Sequence, residues 1–344
     1  MKGFATRYGW LLIGAVALCA AALFGISAGA ASLTWIDILR HMLSLLPFGG
    51  VETSLTERQQ ALLMELRLPR VVMGAVVGAL LATAGGAYQG VFRNPLADPY
   101  LLGAAAGAGL GATLIMVFGP DLAPDPRALV PLAAFIGALL GVATAYLLGS
   151  TAGGGGTAAL VLAGVAVSSF LSAAQTLVQQ MGVDQLQRIY AWLLGGLGRG
   201  GWDDLRLIAP YAVVGLVVLL LCGHLLDMLA LGDDKAVSLG LSPAMVRMVV
   251  IAAASLATAA AVSVSGLIGF VGIVVPHIVR RLVGSDYRAI LPMTVLAGGA
   301  FLVLVDIVAR TIVSPAELPI GVVTAFLGAP FFILILRTTR HRGT

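Results

Sequence analysis

Residues 128–183 read ALVPLAAFIGALLGVATAYLLGSTAGGGGTAALVLAGVAVSSFLSAAQTLVQQMGV and contain no Asp, Glu, Lys or Arg. A helix that crosses the hydrocarbon core of a bilayer needs about 20 apolar residues, so this run is long enough for two crossings. Glycine costs about 1 kcal/mol relative to alanine in a helix interior. The glycine-rich stretch Gly149–Thr157 therefore predicts a tight loop between two membrane helices.

The rest of the chain repeats this pattern of long uncharged segments. Only 36 of the 344 residues, or 10%, are Asp, Glu, Lys or Arg, whereas a soluble domain carries about 25%. Residues 248–279 are also long enough for two helices, because glycines and a proline within Ser263–Pro276 end the first helix and begin a short second one, from about Ile273 to Val283. The other uncharged segments are 8–36, 71–92, 99–120, 207–226, 289–305 and 318–336.

We therefore predict an all-α polytopic membrane protein with a single transmembrane domain over residues 1–344. It has about ten transmembrane helices, including a short broken eighth helix, and an even number of crossings puts both termini on one side. Lys and Arg are enriched on the cytoplasmic side of membrane proteins. Eleven of them fall on the side of the termini and nine on the other side, and the basic tail after Leu336 and the loop Arg280–Arg288 favour cytoplasmic termini.

Charge and motifs argue against two function classes. Secondary transporters driven by protons or sodium place ionisable side chains at mid-membrane, but the uncharged segments contain none, and Asp227 and Asp306 fall near predicted helix ends. The four histidines do not form HExxH, and Cys19 and Cys222 do not form CxxC, so we predict no catalytic residue and no metal site. The chain also lacks a P-loop, so it cannot hydrolyse ATP by that route, and we expect its energy to come from a partner.

Three long motifs occur in a fixed order along the chain. They are GGAYQGVFRNPLADP (Gly85–Pro99), GLIGFVGIVVPHIVR (Gly266–Arg280) and ELPIGVVTAFLGAPFF (Glu317–Phe332). Together they strongly resemble the permease subunits of ABC importers for iron–siderophore complexes, haem and cobalamin. The resemblance runs from about Leu66 to Leu336.

This resemblance implies a permease subunit that pairs with a second copy of itself, or with a close relative, in the inner membrane of a bacterium or archaeon. Two cytoplasmic ATPase subunits bind ATP and Mg and drive transport, and a periplasmic or lipid-anchored binding protein delivers a bulky metal chelate. No cofactor in this chain and no nucleic acid is implied. Iron–siderophore complexes rank first because that use is commonest in the family, with haem or cobalamin next. A self-contained secondary transporter or channel for a small solute is the alternative.

The resemblance also assigns two contact surfaces. The loop of about residues 230–243 resembles the family's cytoplasmic coupling helices, which sit in a groove on the ATPase, and an ordinary capped turn is the alternative. Arg67, Arg70 and Arg310 occupy positions that in the family pair with acidic residues of the binding protein. The run Arg67–Arg70 is expected to open the second helix, and Arg310 has an equal alternative in a pair with Asp306 on its own helix. The predicted coupling residues are Asp233, Asp234, Lys235, Ala236, Val237, Ser238, Leu239, Gly240 and Leu241.

A polar stripe on the fifth helix predicts where substrate passes. Its residues recur at roughly helical spacing in an otherwise apolar segment, and in the family this helix lines the translocation pathway. Hydrogen bonding to neighbouring helices is the alternative role. After the stripe, residues 187–197 resemble the family's short outer helix near the mouth of the pathway. The predicted lining residues are Ser168, Ser172, Gln175, Thr176 and Gln179.

Overall fold

The computed structural model describes residues 2–28, 34–44, 53–119, 128–151, 156–198 and 200–340. In these ranges the chain is built of helices, with no strand among them. The first helices are α1 (Lys2–Ser27), α2 (Trp35–Ser44), α3 (Glu57–Ala61), α4 (Leu68–Phe92), α5 (Ala104–Phe118), α6 (Leu129–Thr151) and α7 (Thr157–Met181). They are followed by α8 (Leu186–Leu193), α9 (Trp202–Leu221), α10 (Gly223–Ala230), α11 (Asp233–Ser238), α12 (Pro243–Ser265), α13 (Val271–Val283), α14 (Tyr287–Thr311) and α15 (Ile320–Arg340).

The predicted all-α membrane class is confirmed. Within the described ranges, seven helices are long and apolar enough to cross a bilayer, and two shorter apolar helices accompany them. The count of ten crossings and the side of the termini stay predictions. The seven long helices are Gly9–Ser27, Glu57–Phe92, Leu129–Thr151, Thr157–Met181, Trp202–Leu221, Pro243–Ser265 and Tyr287–Thr311, and the shorter ones are Ala104–Phe118 and Ile320–Ile333.

Helix α4 lies at the centre of the fold. It packs against α9, α12, α13 and α14, and every residue of Val77–Phe92 is buried, as expected for a helix that is apolar all round. Glycines let its neighbours approach closely. A Cβ atom at Gly78 would lie 2.2 Å from the carbonyl oxygen of Gly298, and one at Gly85 would lie 2.1 Å from that of Gly272. Small residues therefore set the spacing of the core helices.

The second membrane helix begins earlier than expected, so the prediction that the run Arg67–Arg70 opens it is wrong. Helical structure is continuous over Glu57–Phe92, and the side chain of Thr56 caps its first turn. Pro69, within this run, has no amide hydrogen to donate and would interrupt an ordinary helix interior. A π-helical turn over Leu62–Arg67 precedes this proline and keeps the helix continuous.

The predicted loop Gly149–Thr157 begins too early. Helix α6 continues to Thr151, whose hydroxyl donates to backbone carbonyl oxygens one turn before it. Gly149 lies inside the helix, where the absence of a side chain allows close packing of α6 against α7. A Cβ atom at Gly149 would lie 2.7 Å from the Cα atom of Leu160 in α7. Of the rest of the predicted loop, residues 152–155 lie outside the described residues, Gly156 precedes α7, and Thr157 is the first residue of α7.

The third apolar segment, residues 99–120, is helical only from Ala104. Before that residue the chain folds back against the loop that precedes α13. The Tyr100 hydroxyl donates to the carbonyl oxygen of Ile268 at 3.1 Å and accepts from the amide of the same residue at 3.2 Å. Helix α5 is consequently only 15 residues long.

The break before the predicted eighth helix is observed. Helix α12 ends at Ser265, and α13 has 13 residues, which is too short to span a bilayer alone. Between them, Gly266 and Phe270 have φ angles of 68° and 69°. This left-handed conformation cannot continue a right-handed helix, so the chain must start a new one.

Candidate functional sites at the two ends of helix α4

A charged cluster surrounds Arg70 near the start of α4. The Nε atom of Arg70 is 3.1 Å from both carboxylate oxygens of Asp306, and Nη2 is 2.9 Å from one of them. Nη1 and Nη2 donate to the two carboxylate oxygens of Glu317 at 2.8 and 2.9 Å. Forked, charge-assisted contacts of this kind are among the strongest hydrogen bonds in proteins. Arg70 therefore joins α4 to α14 and to the connection between α14 and α15.

Two further arginines complete this cluster. The Nε atom of Arg310 is 3.4 Å from Asp306, so the pair on one helix, the alternative considered for Arg310, is present. Both Arg310 and the buried Arg67 also donate to backbone carbonyl oxygens at the end of α1, where positive charge is favourable. We define the arginine face as Arg67, Arg70, Asp306, Arg310 and Glu317.

The arginine face borders an open cleft of about 470 Å³. Asp306 is 2% exposed, whereas the side chain of Glu317 is 50% exposed. Hydrogen bonds from Arg70 lower the pKa of Glu317 below its ordinary value of 4.5, although partial burial acts in the opposite direction. Glu317 is thus the accessible one of the two acids of Arg70, and it competes with any incoming carboxylate for the Nη atoms of Arg70.

The structure places the three predicted arginines around one cleft, and their docking role stays a prediction. Glu317 was not among the residues predicted for this site. Glu317 completes the cluster because the short connection after α14 lies close to the start of α4, where Glu317 binds Arg70. A usable signal was present, since Glu317 is a single carboxylate seven residues after Arg310 in the predicted connection between two membrane helices.

Charged groups also converge at the other end of α4. Arg93 follows Phe92 with a left-handed φ of 48° and ends the helix. Its Nε atom donates to the carbonyl oxygen of Leu229 at 3.0 Å, and its Nη2 atom pairs with Asp233. From α12, Nη2 of Arg247 donates to both carboxylate oxygens of Asp233 at 2.7 Å. We define the Asp233 cluster as Arg93, Asp233 and Arg247.

Asp233 is ionised in this environment. Hydrogen bonds from Arg247, and to a smaller degree from Arg93, lower the pKa of Asp233 below its ordinary value of 3.8, although burial acts in the opposite direction. Asp233 is also the first residue of α11, where a negative charge suits the helix dipole. The carboxylate therefore both starts α11 and attaches it to α4 and α12.

The predicted coupling residues form a short helix and the turn after it. Ala236 is fully buried and Leu241 packs against the core, which fixes one face of α11. Val237 and Leu239 are 59% and 56% exposed and form a small apolar patch. An exposed apolar face on a short helix is suited to a groove on a partner. Around it, the exposed members of the predicted set are Asp234, Lys235, Ser238 and Gly240.

The polar stripe of α7 is divided between two environments. Gln175 is buried and packs against α5, since its Oε1 atom lies 2.7 Å from the position a Cβ atom would take at Gly109. Ser172 and Thr176 are exposed, whereas Ser168 and Gln179 are partly buried. A pathway role for the stripe stays a prediction. The short helix expected near residues 187–197 is present as α8.

A metal centre is not evident in the part of the chain that the structure describes. No group of three or more His, Cys, Asp or Glu residues lies close enough there to hold an ion. Of the two cysteines, Cys19 is exposed and Cys222 is buried.

Known proteins resemble this chain along nearly its whole length. It is 40% identical to an uncharacterized ABC transporter permease protein, YvrB of Bacillus subtilis, over 98% of this chain and 95% of that protein. It is also 40% identical to the cobalamin import system permease protein BtuC of Halobacterium salinarum, over 90% and 81% of the two chains. The hemin transport system permease protein HmuU of Yersinia pestis is 40% identical over 85% and 88%.

A solved structure agrees with these relatives. It is described as an inward-facing conformation of a metal-chelate type ABC transporter, and it matches with a TM-score of 0.82 at 30% identity, over 95% of this chain and 98% of that one. The fold and these relatives define a permease subunit of an ABC transporter. The chain belongs to the FecCD transport family, which it matches over residues 17–338. The resemblance inferred from the three motifs is confirmed.

Proposed function

We propose that this chain is the membrane subunit of an ATP-driven importer that moves a bulky metal chelate from a binding protein into the cytoplasm. Two copies pair around a central pathway, each with ten transmembrane helices and both termini in the cytoplasm. The complex lies in the inner membrane of a bacterium or archaeon. Two cytoplasmic ATPase subunits bind ATP and Mg²⁺ and supply the energy, since this chain has no P-loop.

The observation that carries this proposal is the position of two charged clusters at opposite ends of one buried helix. The arginine face lies at the start of α4, and the Asp233 cluster lies at its end, about 35 Å away at a rise of 1.5 Å per residue. An importer driven by a soluble ATPase needs a surface for the binding protein on one side of the membrane and a surface for the ATPase on the other. In this chain a single rigid element reaches both.

The environment of Asp306 also favours an external energy source. A proton- or sodium-coupled transporter needs a carboxylate that can gain and lose its cation. Asp306 instead forms ion pairs with Arg70 and Arg310, so its negative charge is already balanced by two arginines of the same chain. This arrangement supports a permease driven by a partner over a self-contained secondary transporter.

The substrate class is inferred from the relatives. Among proteins 36–40% identical to this chain are permeases named for cobalamin, hemin, Fe(3+)-citrate and iron(3+)-hydroxamate. We rank iron–siderophore complexes first and haem or cobalamin next. In such systems the binding protein makes the selection, so the permease needs only to pass a bulky ligand.

Reconstitution of the complex tests the proposal. This chain is purified with its cognate ATPase, placed in lipid nanodiscs and mixed with the cognate binding protein that carries ferric citrate, a ferric hydroxamate, haemin or cobalamin. We expect the ATPase to copurify, and ATP hydrolysis to rise with one of these loaded binding proteins. A chain that binds no ATPase, or hydrolysis that none of the four changes, contradicts the proposed function.

A further inference from the structure

Asp233 belongs to the segment assigned to ATPase contact, yet its partly exposed carboxylate binds two arginines of the helical bundle. We propose that Asp233 is a positioning residue that, with Arg93 and Arg247, ties α11 to the end of α4. Through this tie, movement of α11 is passed to the helix that carries the arginine face at its other end. The inference rests on the proposed function, and it gives Arg93 and Arg247 the role of holding Asp233.

The contacts of Asp233 are with the helical bundle. Both carboxylate oxygens accept hydrogen bonds from Arg247 at 2.7 Å, and one also pairs with Arg93. The apolar residues Val237 and Leu239 are exposed and remain available for contact with the ATPase. Within α11, the surface that meets a partner and the group that holds the helix are therefore separate.

The connections that flank α11 add little stiffness of their own. Helix α11 has six residues, and Gly232 and Gly240 on either side of it have φ angles of 110° and 81°. Glycine is permissive at these angles and adds little stiffness. Ala236 and Leu241 hold one face of α11 against the core, and the tie at Asp233 fixes its first turn as well.

The tie is stiff because its arginines have few alternatives. The Arg247 side chain is 12% exposed, and removal of its acid would leave a poorly solvated charge, which is costly. Arg93 is fixed at a second point, since its Nε atom donates to the carbonyl oxygen of Leu229. Movement of Asp233 together with the ends of α4 and α12 therefore keeps these contacts, whereas movement of Asp233 alone breaks them.

Helix α4 is built to carry such a movement. It is part of one continuous helix of 36 residues that is buried over most of its length. At Gly78 and Gly85 it is in close contact with the backbones of neighbouring helices. At its other end, Arg70 is clamped by Asp306 and Glu317. Two sites that bias one element influence each other's binding free energies reciprocally, so docking at the arginine face and nucleotide binding by the ATPase become linked, and a change in ATP hydrolysis reports this link.

The test compares variants of the whole complex in nanodiscs by the ratio of ATP hydrolysis with loaded binding protein to hydrolysis without it. A ratio does not depend on the amount of folded complex. For Arg93→Gln and Asp233→Asn we expect this ratio to fall about fivefold or more, the lower end of typical coupling between sites. Asp233→Glu, which keeps the charge, is expected to restore most of it.

Asp286→Asn is the matched control, because Asp286 is an exposed acid just before α14 whose side chain forms no capping hydrogen bond. Its ratio is expected to equal that of the wild type. A wild-type ratio in Arg93→Gln overturns the inference. So does loss of the ATPase from Asp233→Asn during purification, since Asp233 would then be a docking contact. A wild-type complex that no loaded binding protein stimulates contradicts the proposed function instead.

Discussion

Arg70 and Asp306 are joined by three hydrogen bonds of 2.9 to 3.1 Å between α4 and α14. The Asp306 side chain is 3% exposed, so this pair is formed inside the bundle. Because the acid already orients the guanidinium group, Arg70 is in position before any partner arrives. The same carboxylate also pairs with Arg310 and is thus the centre of the arginine face.

Replacing Asp306 is expected to destabilise the protein strongly. The variant Asp306→Asn leaves two poorly exposed arginines without their shared counter-ion, and removing one partner of a buried pair costs about 3–5 kcal/mol. Asp203→Asn is the control, since Asp203 pairs with Arg206 at a site where the two side chains are 96% and 77% exposed, and such pairs contribute about 0–1 kcal/mol. Thermal unfolding in detergent measures both. Equal midpoints for the two variants would contradict the central role of Asp306.

Glu317→Gln is expected to strengthen docking of the binding protein. Glu317 occupies the Nη atoms of Arg70, so it competes with an incoming carboxylate, and a hydrogen bond to a charged group contributes about 1.5–3 kcal/mol. The dissociation constant, measured by biolayer interferometry on nanodiscs, is expected to fall about tenfold. Glu57→Gln, an exposed acid in α3, is the control. Weaker binding by Glu317→Gln would show that Glu317 itself contacts the partner.

The contribution of Glu317 to stability is expected to depend on pH. Arg70 lowers the folded-state pKa of Glu317 below the ordinary value of 4.5, so the ionised side chain stabilises the fold above that value. The stabilisation is lost as the pH falls through the lowered pKa. The difference in unfolding temperature between wild type and Glu317→Gln should therefore be constant from about pH 6 to 8 and shrink in acid below about pH 4.5. A difference that grows in acid would contradict this assignment.

Gly85→Ala is expected to disturb the contact between α4 and α13. The added methyl group would lie 2.1 Å from the carbonyl oxygen of Gly272, and overpacking of this kind costs about 1–3 kcal/mol. Gly9→Ala in α1 is the matched control, because a Cβ atom there meets nothing within 4 Å. Size-exclusion chromatography after heating measures the surviving folded fraction. If both variants survive equally, the helices are less closely packed than the structure indicates.

Thiol labelling tests which residues of α7 meet a water-filled pathway. In a Cys19→Ala and Cys222→Ala background, Ser172→Cys is expected to react with a membrane-impermeant maleimide in the assembled transporter. Gln175→Cys is expected to stay unlabelled, because Gln175 packs against α5. Leu147→Cys, on the exposed apolar surface of α6, controls for lipid-facing positions. Labelling of Gln175→Cys but not of Ser172→Cys would contradict the division of the stripe into a buried Gln175 and an exposed Ser172.

The apolar segments were predictable because burial in lipid demands long uncharged helices, and the break before α13 was predictable from its glycines and proline. Local rules failed where tertiary contacts decided the outcome. Gly149 was interpreted as a helix breaker, yet it provides close contact with Leu160. The run Arg67–Arg70 was expected to open the second helix, yet a π-helical turn over Leu62–Arg67 joins it to an earlier helical segment.

Only part of the candidate site could be inferred from the sequence. The family resemblance, and not the spacing of residues, pointed to Arg67, Arg70 and Arg310, and their docking role stays a prediction. Their acids could not be assigned from spacing alone: Glu317 reaches Arg70 across 247 positions of sequence. Nor did the sequence indicate that Asp233 turns inward, since that depends on where Arg93 and Arg247 lie at the ends of two other helices.

Uptake into liposomes tests the central claim most directly. Proteoliposomes that hold this chain with its cognate ATPase are given the loaded binding protein outside and ATP inside, and the accumulated ferric citrate, ferric hydroxamate, haemin or cobalamin is measured. We predict uptake of one of these ligands that requires ATP, the ATPase and the binding protein together. Transport of the ligand by this chain alone, at a rate that ATP does not change, would contradict the account.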